Sequence, residues 1–200
     1  MVGCRDLPTL EFLKKLGFHA YFSSCLTTTL FYKFGRMPYS ERSGVVFCDV
    51  NFGNVFPLRD YFLRSRIKRV CEEILSSYKT DPIYTVTHSC SVLKTHEERF
   101  RLAEDLLSLY SKAKLVITSR IHCALPCIAM GTPVILVVNH YDDKRYPGID
   151  GFLNKIYCSS AGKFVVDVNM KSGFVLNNDK HIPYAEKLIE QCEAFVGMGV

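Results

Sequence analysis

The stretch AKLVITSRIHCALPCIAMGTPVILVV, residues 113–138, decides the fold. Lys114 to Thr118 is dominated by leucine, valine and isoleucine, which predicts a short buried strand. His122 to Met130 is apolar enough for a short core helix, and Gly131 stops it. Pro133 to Val138 then predicts another buried strand. Strand, helix and strand in so short a span make one parallel unit with a crossover helix. Strands this apolar need cover on both faces.

The alternation continues outward. Val45 to Val50 predicts a strand, Pro57 to Tyr78 a helical stretch, and Tyr84 to His88 the next strand. Thr95 with Glu98 forms a capping box ahead of Phe100, Ala103, Leu106, Leu107 and Tyr110, a stripe at helical spacing. Phe164 to Val168 predicts a fifth strand, and Tyr184 to Phe195 a closing amphipathic helix. The expected fold is α/β: a Rossmann-like open parallel sheet with helices on both faces, spanning residues 45–200. Upstream, Pro8 and Gly17 bound a short helix carrying Leu10, Leu13 and Leu16. Phe18 to Leu30 reads as short and extended. Residues 31–44 mix glycine, proline, serine and charge without periodicity and read as a linker, which sets residues 1–30 apart.

A chain of 200 residues suits one such domain plus a remnant of a second. No apolar run approaches the roughly 20 residues of a membrane span, and residues 1–30 lack a signal-peptide pattern. A soluble, cytoplasmic protein is expected. The net charge of +5 gathers modestly in Arg59, Arg64, Arg66, Lys68 and Arg69, which on a helix read as a solvated face. No recognition motif accompanies them, so nucleic acid is not expected, whereas an anionic small substrate suits the charge. The nine cysteines are odd in number and contain no CxxC pair, which fits a reducing compartment better than a disulfide framework. Cys123 directly follows His122, and no second ligand pair stands at zinc-like spacing, so the sequence calls for no metal.

In open parallel sheets, ligands collect at the carboxyl ends of strands, near helix N-termini. Three segments fall there: Thr87-His88-Ser89, Ser119-Arg120-Ile121-His122, and the polar loop from His140 to Arg145. The second is richest. Exposed amides at a helix start favour an anion, and an arginine beside them can grip a carboxylate or phosphate in bidentate fashion. His88 reads equally as a strand-end residue bonded locally, and Lys144 and Arg145 as solvated loop charges. The position of Arg5 is by itself uninformative.

Residues Ala113 to Val134, with the Ser-Arg-Ile-His core at Ser119 to His122, resemble the signature of polysaccharide pyruvyl transferases. Tyr141-Asp142-Asp143-Lys144 resembles that family's Tyr-Asp-x-Lys loop, and Gly3-Cys4-Arg5-Asp6 with Thr9, Leu13 and Gly17 resembles its arginine-aspartate helix start. The similarity runs to about Tyr157. The resemblance implies a GT-B-like protein of two domains, of which residues 45–200 are the C-terminal one and residues 1–30 a remnant of the other. It implies transfer of pyruvate from phosphoenolpyruvate to a sugar hydroxyl of a polysaccharide or glycan, closing a ketal, with no cofactor beyond that donor.

On the same resemblance, His122 is the general acid that protonates the donor's methylene carbon. Arg5 and Lys144 clamp its two anionic groups, while Arg120, Ser119, His88 and Arg145 complete the binding set. A histidine beside two anions has its charged form favoured, as an acid needs. Family members carry roughly a further domain, so a separate N-terminal half or a second copy of the chain is an expected partner. Two other readings compete: a non-catalytic module that keeps the anion pocket, and a glycosyltransferase using a nucleotide sugar.

Overall fold

In the computed structural model, residues 1–50, 57–90, 94–138, 146–159 and 163–197 are described, and of residues 57–64 the backbone alone. The chain opens with β1 (Val2–Cys4), α1 (Leu7–Lys15) and β2 (Ala20–Phe22), and the two strands pair in parallel. Asp6 caps α1, its Oδ1 accepting from the Thr9 N–H at 2.9 Å. Gly17 closes the helix in the left-handed region at φ +83°. Only three residues of the stretch after Gly17 are strand; Leu26–Thr29 turns into a 3₁₀ helix instead. The short α2 (Phe31–Phe34) follows.

The main sheet takes β3 (Val45–Cys48), β4 (Ile83–Val86), β5 (Leu115–Thr118), β6 (Val134–Val138), β7 (Asn154–Cys158) and β8 (Phe164–Asp167). Their order is 4-3-5-6-7-8, parallel throughout except that β8 runs antiparallel to β7. The helices α3 (Pro57–Leu75), α4 (His96–Lys112) and α5 (Ile121–Ala129) make the crossovers. The protein is thus α/β with an open, mostly parallel, Rossmann-like sheet, as the apolar runs predict.

Side chains alternate across this sheet as strand geometry demands. Val45, Leu115, Ile117, Ile135 and Val137 meet Ile67, Cys71, Ile74 and Tyr78 on one face. Val46, Cys48, Val116, Val134 and Leu136 meet Tyr110 and α5 on the other. The edge strand β4 departs from the expected cover: Ile83 and Tyr84 are exposed.

The strand β7 is absent from the sequence reading because it begins with polar residues. Both are buried and bonded. Asn154 Nδ2 donates to the Val134 and Leu176 carbonyls, each at 3.1 Å, and Lys155 Nζ lies 3.3 Å from Asp167 Oδ2. Beyond β8, the hairpin β9 (Met170–Lys171) and β10 (Phe174–Val175) leads to α6 (Ile182–Gly197).

The opening segment docks on the α5 side. The Leu7 N–H donates to the Pro147 carbonyl at 3.0 Å, and the Phe22 ring meets Tyr184 of α6 edge-on at 5.3 Å. Just before α6, His181 is fully buried, and neither ring nitrogen has a hydrogen-bond partner. Burial pushes its pKa down from 6.5 to about 4; Arg36 adds to the shift and Asp179 opposes it. The folded state therefore binds this proton less readily than the unfolded chain does. His181 is without cost above pH 6.5, and stability falls as the pH drops from 6.5 towards 4, by about 3 kcal/mol for such a shift. Chemical denaturation from pH 7 to pH 4 should show the loss in the native protein and a flatter profile in His181→Leu. Parallel profiles would assign the acid sensitivity elsewhere.

Candidate functional site

The sheet order reverses between β3 and β5: the chain goes from β3 to β4 on one side, then returns to β5 on the other. A crevice opens above the carboxyl ends of strands at such a point. Asp49 stands directly after β3, Thr87 and His88 after β4, and Ser119 and Arg120 after β5. Their convergence is a consequence of topology.

Asp49 organises the crevice. Its backbone lies in the left-handed region at φ +44°, which a short polar side chain tolerates. Oδ2 accepts from the His88 N–H at 2.9 Å and from Arg120 Nε at 3.1 Å. Burial pushes the Asp49 carboxyl up, but hydrogen bonds from Thr87, His88 and Arg120 outweigh it and hold the group below the usual carboxylate range. Asp49 thus stays charged and fixes the Arg120 guanidinium through Nε. Two terminal nitrogens of that group face a more exposed environment, Arg120 being about half exposed.

Arg120 is also the N-cap residue of α5, with extended backbone and no side-chain cap bond. Its carbonyl accepts the Cys123 and Ala124 amides at 3.0 Å each, so the helix begins on it. Ile121 and His122 stand ahead of the first amides bonded within the helix, which gives this end its positive character. His122 is exposed in the first turn, whereas Cys123 to Met130 are buried without exception. Pro126 lies inside the helix and cannot donate to the His122 carbonyl. At the far end Gly131 closes α5 at φ +69°.

A polar cavity of about 440 Å³ lies over these groups, lined by His88, Ser89, Ser119, Arg120, His122 and Tyr146. An apolar cavity of about 320 Å³ adjoins it, bounded by Leu30, Leu102, Leu106 and Tyr110 and sharing His88 and His122. Four predicted residues, His88, Ser119, Arg120 and His122, therefore share one cavity. Arg5 does not line it. Its Nη2 lies 3.4 Å from Asp6 Oδ2 at the end of β1. Lys144 and Arg145 lie outside the described residues, as does the rest of the loop from His140.

The model of the polysaccharide pyruvyl transferase family matches residues 1–141, which takes in β1, Arg5 and the crevice residues Asp49, His88, Ser119, Arg120 and His122. The chain belongs to the polysaccharide pyruvyl transferase family. No curated protein and no solved structure matches it. The family is one of transferases, and its name accords with a sugar or polysaccharide acceptor. Among the described residues, no helix is long and apolar enough to cross a membrane.

Sequence reasoning missed Asp49, Tyr110 and Tyr146. Asp49 had a signal: a lone carboxylate ending an apolar strand run. Tyr110 had none, because it falls on the apolar stripe of α4. Its hydroxyl is nevertheless bonded to His88 Nε2 at 2.9 Å and donates to Cys48 Sγ at 3.1 Å.

Proposed function

We propose that the cavity binds phosphoenolpyruvate, and that the protein transfers its pyruvate to a sugar hydroxyl of a polysaccharide or glycan, closing a ketal. One observation carries this reading: an arginine fixed by a carboxylate stands at the amino-terminal end of a helix, with an exposed histidine in the same cavity. The donor has a carboxylate and a phosphate, so cations must meet it on two sides. Arg120 and the α5 amides supply one. Lys144, matched by family resemblance, supplies the other, with Ser119, His88 and Arg145 as further contacts; Arg5, which does not line the cavity, is assigned to the donor by the resemblance alone.

The chemistry follows from the donor. His122 gives a proton to the methylene carbon, and the neighbouring carbon becomes an electrophile. A sugar hydroxyl adds there and phosphate leaves with the electrons of its C–O bond. A second hydroxyl of the same sugar then closes the ketal. Arg120 and the helix amides stabilise charge on the anion throughout.

Calorimetric titration of the chain with phosphoenolpyruvate tests the donor site directly. Saturable binding is expected, and Arg120→Ala should weaken it by about 1–3 kcal/mol, roughly 5- to 150-fold. A nucleotide sugar should give no saturable heat. If the native chain fails to bind phosphoenolpyruvate, or Arg120→Ala binds it equally well, the assignment of the cavity is wrong.

A further inference from the structure

Beneath the cavity, three side chains from distant parts of the chain converge. Cys48 ends β3, His88 follows β4, and Cys123 lies in the first turn of α5. One ligand atom of each, two thiols and an imidazole nitrogen, lies within 4.8 Å of the other two. A tetrahedral zinc with sulfur at about 2.3 Å and nitrogen at about 2.0 Å sets its ligand atoms roughly 3.5–3.8 Å apart. The observed set needs little closure to reach that spacing.

Both cysteines are fully buried. A divalent cation bound between them would take both sulfurs as thiolates, releasing their protons. Tyr110 stands beside them as an additional oxygen donor, bonded to Cys48 Sγ and His88 Nε2. His88 is half-buried and lines both cavities, so an ion has a path from solvent to the buried sulfurs.

We propose that Cys48, His88 and Cys123 form a binding site for a soft divalent cation, zinc above all, at the floor of the crevice. Two sulfurs and one imidazole suit zinc and exclude magnesium or calcium, which take oxygen. The ligands are 40 and 35 residues apart in the chain, as their numbers show, so no spacing motif announces them. An ion here ties the ends of β3 and β4 to the start of α5, beneath the residues assigned to the donor. The site shares His88 with the proposed donor set, and zinc binding is read without the donor.

The test uses the reduced, metal-stripped chain, dialysed to equilibrium against zinc and read by elemental analysis, with cobalt as a spectroscopic substitute. One zinc per chain is expected, and cobalt should give the intense thiolate-to-metal absorption that oxygen or nitrogen ligands alone do not. Cys48→Ala and Cys123→Ala should each weaken zinc binding at least about a hundredfold, more than the loss of an outer contact does. His88→Gln changes a half-buried side chain and tests the site if either core variant fails to fold. Cys71→Ala, buried on the opposite face of the sheet, should bind zinc as the native chain does. Absence of stoichiometric zinc, or zinc retained with unchanged affinity in His88→Gln and the folded cysteine variants, overturns the proposal. Phosphoenolpyruvate titration of the metal-free chain reports on the donor site separately.

Discussion

His122→Ala should reduce pyruvyl transfer by about 10²- to 10⁴-fold, the range that a positioned general acid contributes. The side chain is exposed in the first turn of a helix whose other residues from Cys123 onward are buried. Its removal therefore leaves no cavity in the core, and the melting temperature should stay within a few degrees of the native value. On the proposed donor site, where Arg120 and the start of α5 hold the anion, its affinity should fall far less than the rate. A rate loss with binding nearly intact marks a group that acts in the transition state. His122→Gln keeps the size and some hydrogen bonding but cannot deliver a proton of comparable acidity, so it should be nearly as slow. Transfer at the native rate in either variant, measured with a sugar acceptor, would remove His122 from the acid role.

The other histidine offers a contrast. His88 shares the cavity, yet its Nε2 is bonded to the Tyr110 hydroxyl and its backbone N–H to Asp49. Its half-buried ring is directed by the fold, whereas His122 stands at the exposed helix start. The sequence already set them apart, His88 at a strand's end and His122 in the first turn of a helix beside Arg120. Burial separates them: His88 is half-buried, His122 exposed.

The sheet was legible because its strands are short apolar runs with both faces covered, and that pattern survives any choice of loop. The capping box at Thr95 and Glu98 was legible for the same reason, being a local pair whose two bonds both form. The crevice could be placed from the rule that ligands collect at carboxyl ends. β7 was not legible, because Asn154 and Lys155 are polar and their burial depends on partners contributed by Val134, Leu176 and Asp167. Asp49 and the Cys48, His88 and Cys123 set were hidden differently. Their meaning lies in which strands become neighbours, and β3 lies between β4 and β5 only because the topology reverses there. A composition-based reading of residues 31–44 likewise could not show what Arg42 does.

Arg42→Ala should destabilise the fold by about 4 kcal/mol, lowering the melting temperature by roughly 8–16 °C in a chain of this size. Arg42 is buried at 3% exposure and has no carboxylate partner among its hydrogen bonds. Nη1 donates to the Ser111 carbonyl at 2.7 Å and to Thr132 Oγ1 at 2.6 Å, while Nη2 donates to the Met130 carbonyl at 2.8 Å. Nε donates to the Met37 carbonyl at 3.1 Å. Ser111 is in the last turn of α4 and Met130 caps α5, so one guanidinium satisfies carbonyls at the negative ends of two helices. Truncation orphans several buried acceptors at once, each costing on the order of 1–3 kcal/mol before water enters the gap. Arg42→Lys keeps the charge but not the fork, so it should fall between native and alanine. A melting point within 2–3 °C of native for the alanine variant would show that solvent replaces these bonds freely. The consequence for function is the reverse of that for His122. Arg42 holds the far end of α5, whose buried body still packs on the sheet in every molecule that stays folded. At temperatures below its melt, Arg42→Ala should bind phosphoenolpyruvate with native affinity per folded molecule, and its activity should disappear only with the fold.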